Sequence, residues 1–163
     1  MLALRYAALL ALTLWVGGLL ALGGIAAPAI FDVLDAQAGP GSGSLAGAVF
    51  GETLRRFHLL SYACAGVLLL ALLARAVLGP RPRWFGLRAG TVLAMLLASL
   101  YSGMIVSGRI EGLRAEIGVA PSSLPESDPR RAAFGQLHAT SSALQLIPIF
   151  GGLMLLFLEL KES

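Results

Sequence analysis

Four long stretches of this chain carry almost no charge, and that feature decides which folds are open to it. No Asp, Glu, Lys or Arg occurs between Tyr6 and Phe31. A second run extends from Phe57 to Leu73, passes Arg75 and ends at Leu78, a third covers Ala89 to Ser107, and a fourth covers Ala132 to Leu158. A hydrocarbon layer about 30 Å thick is crossed by roughly 20 apolar residues in a helix. Lipid offers no partner to a backbone N–H or C=O, so each run must pair its own backbone as a helix. The fold class expected is therefore all-α: an integral membrane bundle of four transmembrane helices, with spans near 6–31, 57–78, 89–107 and 132–158. Short interfacial helical extensions are expected at its edge, and residues 1–163 read as a single four-helix membrane domain.

Composition agrees. Hydrophobic residues make up 57% of the chain and charged residues 13%, with a mean hydropathy of +0.82, against about 45–50% and 25% for soluble domains. The formal net charge of +3 comes from scattered arginines beside the runs, a membrane pattern that gives no reason to expect a nucleic-acid partner. A cleaved leader is the rival reading of the first run, but a leader's apolar core spans only about 7–15 residues. Cys64 is the only cysteine, which excludes an intrachain disulfide.

The connections carry turn and cap signals. Gly39-Pro40-Gly41-Ser42-Gly43-Ser44 reads as a flexible turn, with Ser44 as the expected cap of the second helix. Pro80 and Pro82 break the short basic second loop, and Trp84 suits the headgroup layer. Ile110, Leu113 and Ile117 recur at helical spacing in the third connection, predicting a surface-lying extension. Asp128-Pro129 reads as an N-cap and first helical residue, and Pro148 with Gly151 and Gly152 predicts a kink in the last span. Lys and Arg divide equally between the two sides, but the second loop is short and free of acids. That places both termini in the cytoplasm, with a bacterial inner membrane as the expected location.

Polar residues inside a membrane are costly, so their faces matter. In the fourth run Gly135, His138, Ser141, Ser142, Gln145 and Gly152 share a face at i+3, i+4 and i+7 spacing. In the second, His58, Ser61, Tyr62, Ala65 and Gly66 do so. The first offers Gly17, Ala21, Gly24, Pro28 and Asp32, and the third Ser99, Ser102, Gly103 and Ser107. These small, polar stripes are expected to meet at the bundle centre, with Gly47-x-x-x-Gly51 and the glycine pairs as close-packing devices. His58 and His138 are the only histidines, and both lie near the same membrane face. They form the candidate metal or haem site, supported by Ser61, Tyr62, Ser141, Ser142, Gln145, Asp32, Arg55 and Arg131. Two imidazoles could ligate haem iron, with Arg55, Arg56, Arg130 and Arg131 for its propionates, or could join Asp32, Glu52 or Met104 around a transition-metal ion. The bland reading has both rings tying helices together by hydrogen bonds, and a proton-linked role is a third use. No phosphate loop, nucleophile elbow or His-Glu-x-x-His helix is present, which argues against an enzyme.

Trp15-x-Gly17-Gly18, Pro28-x-x-Phe31, Gly47-x-x-Phe50 leading to His58, and above all Asp128-Pro129-Arg130 followed by Phe134-x-x-Leu137-His138-x-x-Ser141 carry a family resemblance. The chain resembles the transmembrane protein 205-like family, whose bacterial members form a domain of unknown function, number 4149. The resemblance implies a four-helix membrane fold, with His58 and His138 matching histidine positions of the pattern. A human member's association with platinum-drug resistance implies soft-metal handling. No catalytic residues come with it. The expected function is binding or transport of a metal ion or metal complex. The alternatives are a bis-histidine haem electron carrier and a structural or assembly subunit, as a homo-oligomer or within a larger membrane complex in the lipid bilayer.

Overall fold

The computed structural model describes residues 2–39 and 42–161, all in helices and short connections with no strand among them. The Pro40-Gly41 part of the expected turn lies outside the described residues. Helix α1 (Leu2–Ala21) continues through a π-helical turn, Leu22–Ala26, into α2 (Ala27–Ala38). Helix α3 runs from Gly43 to Leu78. Helix α4 (Phe85–Leu100) passes through a second π-helical turn, Tyr101–Val106, into α5 (Ser107–Ile117), and α6 spans Pro129–Leu160. Four continuous rods result, Leu2–Ala38, Gly43–Leu78, Phe85–Ile117 and Pro129–Leu160, each long and apolar enough to cross a membrane.

Each rod outruns the apolar segment it was expected to be. The 36 residues of α3 reach about 54 Å, well beyond a hydrocarbon layer of about 30 Å. The surplus lies at one end, where α2, the start of α3, α5 and the start of α6 carry Asp32, Asp35, Glu52, Arg55, Arg56, Glu111, Arg114 and Arg131. The expected surface-lying extensions are thus helical continuations of the spans themselves. The second helix starts at Gly43, one residue before the expected cap Ser44, and Ser42 at its N-cap makes no side-chain capping bond. Asp128 does cap α6 as expected, accepting the Arg130 N–H at 2.9 Å. Pro148 is fully buried and α6 continues through it.

The rods pack as a ring in chain order, α1 on α3, α3 on α4, α4 on α6 and α6 back on α1. Leu12, Trp15, Met95 and Pro148 fill the middle with almost no exposure. Leu10, Leu14, Leu70, Leu97 and Phe150 point outward, where lipid is the solvent. One expectation fails here. The small-residue stripe of the first span, Gly17, Ala21, Gly24 and Pro28, is exposed and not central, while Ala8, Ala11, Leu12, Trp15, Val16 and Leu19 form the buried face. A Cβ at Gly17 or Gly24 would touch nothing within 4 Å, whereas one at Gly18 would collide with the Phe57 ring and one at Gly152 with Val16. Helix α1 needs its bulky face inward because Trp15 and Leu12 fill the space that its glycines would leave empty.

The end holding both chain termini is closed by charge. Glu159 of α6 pairs with Arg75 of α3 and Arg88 of α4, and Arg5 of α1 stands 3.4 Å from its second oxygen. Arg88 also donates to the carbonyls of Leu158 at 2.9 Å and Arg83 at 3.1 Å, and Arg5 to that of Glu159 at 3.1 Å. Every spanning rod contributes one side chain to this clasp. Three of the arginines counted for membrane orientation are therefore committed to Glu159. Breaking a buried ion pair by removing one partner costs about 3–5 kcal/mol. Glu159→Ala should accordingly lower the thermal unfolding midpoint in detergent by many degrees. Glu52→Gln, on an exposed pair with Arg55 and Arg56, should leave it almost unchanged.

Candidate functional site

At the opposite end the ring comes apart. Helix α2 packs on α3 and α5 on α6, and between these two pairs lies a cleft of about 960 Å³. Both π-helical turns border it. Each inserts one residue into its rod and so turns the helix beyond it: the Ala27 N–H bonds back to Leu22 and the Ser107 N–H back to Ser102. Such insertions recur at functional sites. Gly23 in the first, with Ala27 just after it and Ser107 just after the second, forms part of the wall.

The stripe of α6 supplies the polar wall as expected. Gly135, His138, Ser141, Ser142 and Gln145 all line the cleft. Ser141 is buried and lies 3.4 Å from the Ser102 hydroxyl, tying α6 to the second π-helical turn. Across from the stripe stand Asp32 and Asp35 of α2, with Glu111 and Arg114 of α5 at the side and Arg131 of α6 at the rim. Phe31, Phe50, Leu54 and Phe134 give the cleft an apolar lining. Arg131 is held by the Leu124 carbonyl at 2.8 Å and faces Glu126 at 3.8 Å.

The two histidines have different surroundings. His138 is exposed on the cleft wall. His58 is buried, stacks on Tyr62 with ring centroids 6.3 Å apart, and is not among the residues lining the cleft. It lies so close to the second π-helical turn that a Cβ on Gly103 would sit 2.9 Å from its Cγ. Its Nδ1 is buried and, among the described residues, has no hydrogen-bond partner. Tyr62 donates to the Ser99 carbonyl at 3.3 Å and Ser61 to the Phe57 carbonyl at 3.1 Å, so both hydroxyls are used within the helix packing. Arg55 points outward and pairs with Glu52 at 2.7 Å. Of the residues singled out from the sequence, Asp32, Arg131, His138, Ser141, Ser142 and Gln145 share the cleft, while Arg55, His58, Ser61 and Tyr62 do not line it. No group of three or more His, Cys, Asp or Glu side chains is placed to hold a metal ion among the described residues. Cys64 and Met95 are buried in the apolar core.

Sequence reasoning passed over Arg114. Its guanidinium lies against Gly47 of α3, where a Cβ would come within 2.7 Å of Nη2. The Gly47-x-x-x-Gly51 spacing was the available signal, but it faces a side chain here and not a neighbouring helix backbone.

Asp128 sets where α6, and with it the polar wall, begins. Its carboxylate accepts the Arg130 N–H and the Arg130 guanidinium at 2.8 and 3.1 Å. That side-chain bond, followed by the backbone bond, holds its pKa below the ordinary aspartate value. A carboxyl depressed on folding contributes stability that is complete above its unfolded pKa of about 3.9 and is lost as pH falls through the folded value. Amide exchange at the first turn of α6 should thus speed up, beyond the intrinsic rate, on the acid side of pH 4. Asp128→Asn, which keeps a cap without the charge, should flatten that pH dependence.

No curated protein and no solved structure matches the chain. A family model described as "Domain of unknown function (DUF4149)" matches residues 10–118. The match runs from the middle of α1 to the end of α5, with the inward-facing Trp15, the Arg114 seat and His58. It stops before the Asp128 to Ser141 block on which the sequence resemblance leaned most. With more than half of its length matched, the chain belongs to the DUF4149 family.

Proposed function

We propose that this membrane protein binds a small amphipathic molecule in the cleft between the α2–α3 and α5–α6 pairs, as its receptor or carrier. The observation that carries this reading is the cleft itself. At about 960 Å³ it lies at the upper end of ligand pockets, which hold about 300–1,000 Å³, pair apolar walls with a few polar groups, and occur between the helices of bundles. Phe31 and Phe50 from the α2–α3 pair and Phe134 from α6, beside the serine, glutamine and histidine stripe, match that description. With the termini in the cytoplasm, as the acid-free loop containing Arg81 and Arg83 predicts, the cleft opens on the outer face.

Binding of a metal ion or haem would draw on the same wall through His138. For bis-histidine ligation His58 would have to leave its contact with Tyr62 and Gly103. An amphipathic ligand needs no such rearrangement, and this favours it over both metal readings. A purely structural subunit would leave the polar wall without a use.

Gly135 gives a direct test, because a Cβ there meets nothing within 4 Å and the residue lines the cleft. Gly135→Leu should fold at least as well as the parent, since glycine inside a helix costs about 0.5–1 kcal/mol relative to alanine. It should also occupy ligand space. In a thermal-shift screen of amphiphiles, a true ligand at about 100 times its Kd stabilises the parent by about 2.7 kcal/mol, and Gly135→Leu should lose most of that shift. Amphiphiles that shift both proteins equally, or shift neither, would defeat the reading.

A further inference from the structure

The cleft carries both signs of charge at the level of the lipid headgroups, and most of these charges are not satisfied by one another. Arg114 is half-buried on α5, seated over Gly47, and a Cβ added at Gly51, one turn further along, would lie 3.8 Å from its Nη1. Among the described residues it makes no hydrogen bond and no close ion pair, and Glu111, one turn back on its own helix, acts on it only through its field. A guanidinium withdrawn from water and left without an acceptor is costly, and its planar fork matches a phosphate or carboxylate. On the other side Asp32 and Asp35 sit three residues apart on α2, exposed to the cleft and, among the described residues, without a side-chain partner. Two carboxylates in that position suit an ammonium group. Phe31, Phe50 and Phe134 add apolar surface between them.

We propose, resting on the cleft as the binding site, that its ligand is a zwitterionic phospholipid of the ethanolamine type. The phosphate lies on Arg114, the ammonium faces Asp32 and Asp35, and the first acyl carbons run along the phenylalanines. An anionic amphiphile would leave the α2 carboxylates opposed to it, and a cationic one would leave Arg114 unused. A zwitterion gives each a counter-charge. Asp32, Asp35 and Arg114 lie just beyond the charge-free runs, which puts the charged mouth of the cleft where such headgroups reside, while Gly23, Ala27, Ser141, Ser142 and Gln145 carry its wall back into the apolar segments.

The test is native mass spectrometry of the purified full-length protein in a non-ionic detergent. It is titrated with phosphatidylethanolamine, phosphatidylglycerol, diacylglycerol and water-soluble phosphoethanolamine. Phosphatidylethanolamine should bind about tenfold or more tightly than the other two lipids, the factor expected for one charge-assisted contact. Arg114→Gln should remove that advantage and Arg114→Lys should recover part of it. Asp32→Asn with Asp35→Asn should weaken phosphatidylethanolamine while sparing phosphatidylglycerol. Gly47→Ala, which pushes the guanidinium off its seat without removing it, guards against misreading a folding defect at Arg114. Equal binding of the three lipids, unchanged by Arg114→Gln, overturns the headgroup assignment. The cleft survives that result only if Gly135→Leu still abolishes binding. Phosphoethanolamine binding as tightly as the lipid overturns the lipid as source and leaves a soluble phosphate ester in its place.

Discussion

Glu159 is the point through which the four rods are joined. Its carboxylate meets arginines from α3 and α4 and lies beside one from α1, while its own backbone belongs to α6. In lipid a bundle has no hydrophobic drive to associate, since acyl chains are as apolar as leucine, and it relies on close van der Waals packing and polar contacts between helices. A charged contact is different, because a carboxylate parted from its guanidiniums in that medium has no substitute partner. The clasp fixes the rods at one end only. Its position permits the opposite end to splay, and the π-helical turns complete the divergence by turning α2 and α5 relative to the helices that precede them.

How much of this could be read from the residues depends on the range of the interaction. The spans were legible, because a charge-free run is a local property and the bilayer sets its length. The cap at Asp128 and the polar face of α6 were legible for the same reason, since both follow from spacing within one helix. The clasp was not. Arg5 and Glu159 lie 154 positions apart, and charges next to apolar runs ordinarily face water and headgroups, so nothing local distinguishes a buried arginine from a snorkelling one. The first span misled for a related reason. Small residues mark close packing in membranes, yet here Trp15 faces inward and the glycine edge faces out. Which side of an all-apolar helix is buried is decided by the shape of its neighbours, as Phe57 against Gly18 shows.

The histidines illustrate the same limit at a candidate site. His138 lines the cleft, and His58 lies against Gly103 of the second π-helical turn. Azimuth was not inferable, and each π-helical turn adds a residue that rotates everything beyond it. Gly103 lies within the second of these turns, and its missing side chain admits the His58 ring. The sequence reading assigned Gly103 to a stripe meeting others at the centre. What it provides is a recess for one imidazole, while His138 remains with the serines on the wall of the cleft.

A carrier must offer its cargo a path, and the structure has one open end. Between the cleft and the clasp lies a plug of Leu12, Trp15, Met95 and Pro148, each fully buried. A small void of about 30 Å³, bordered by Leu72, Arg75 and Glu159, lies beyond it. Passage through the bundle would require this plug to part and the clasp to release at least one helix, at the cost of buried ion pairs. Exchange at the open end requires neither, because the cleft between α2–α3 and α5–α6 is already open there. For the ligand proposed above, the buried plug and clasp therefore weigh against passage through the core and in favour of uptake and return at the open end.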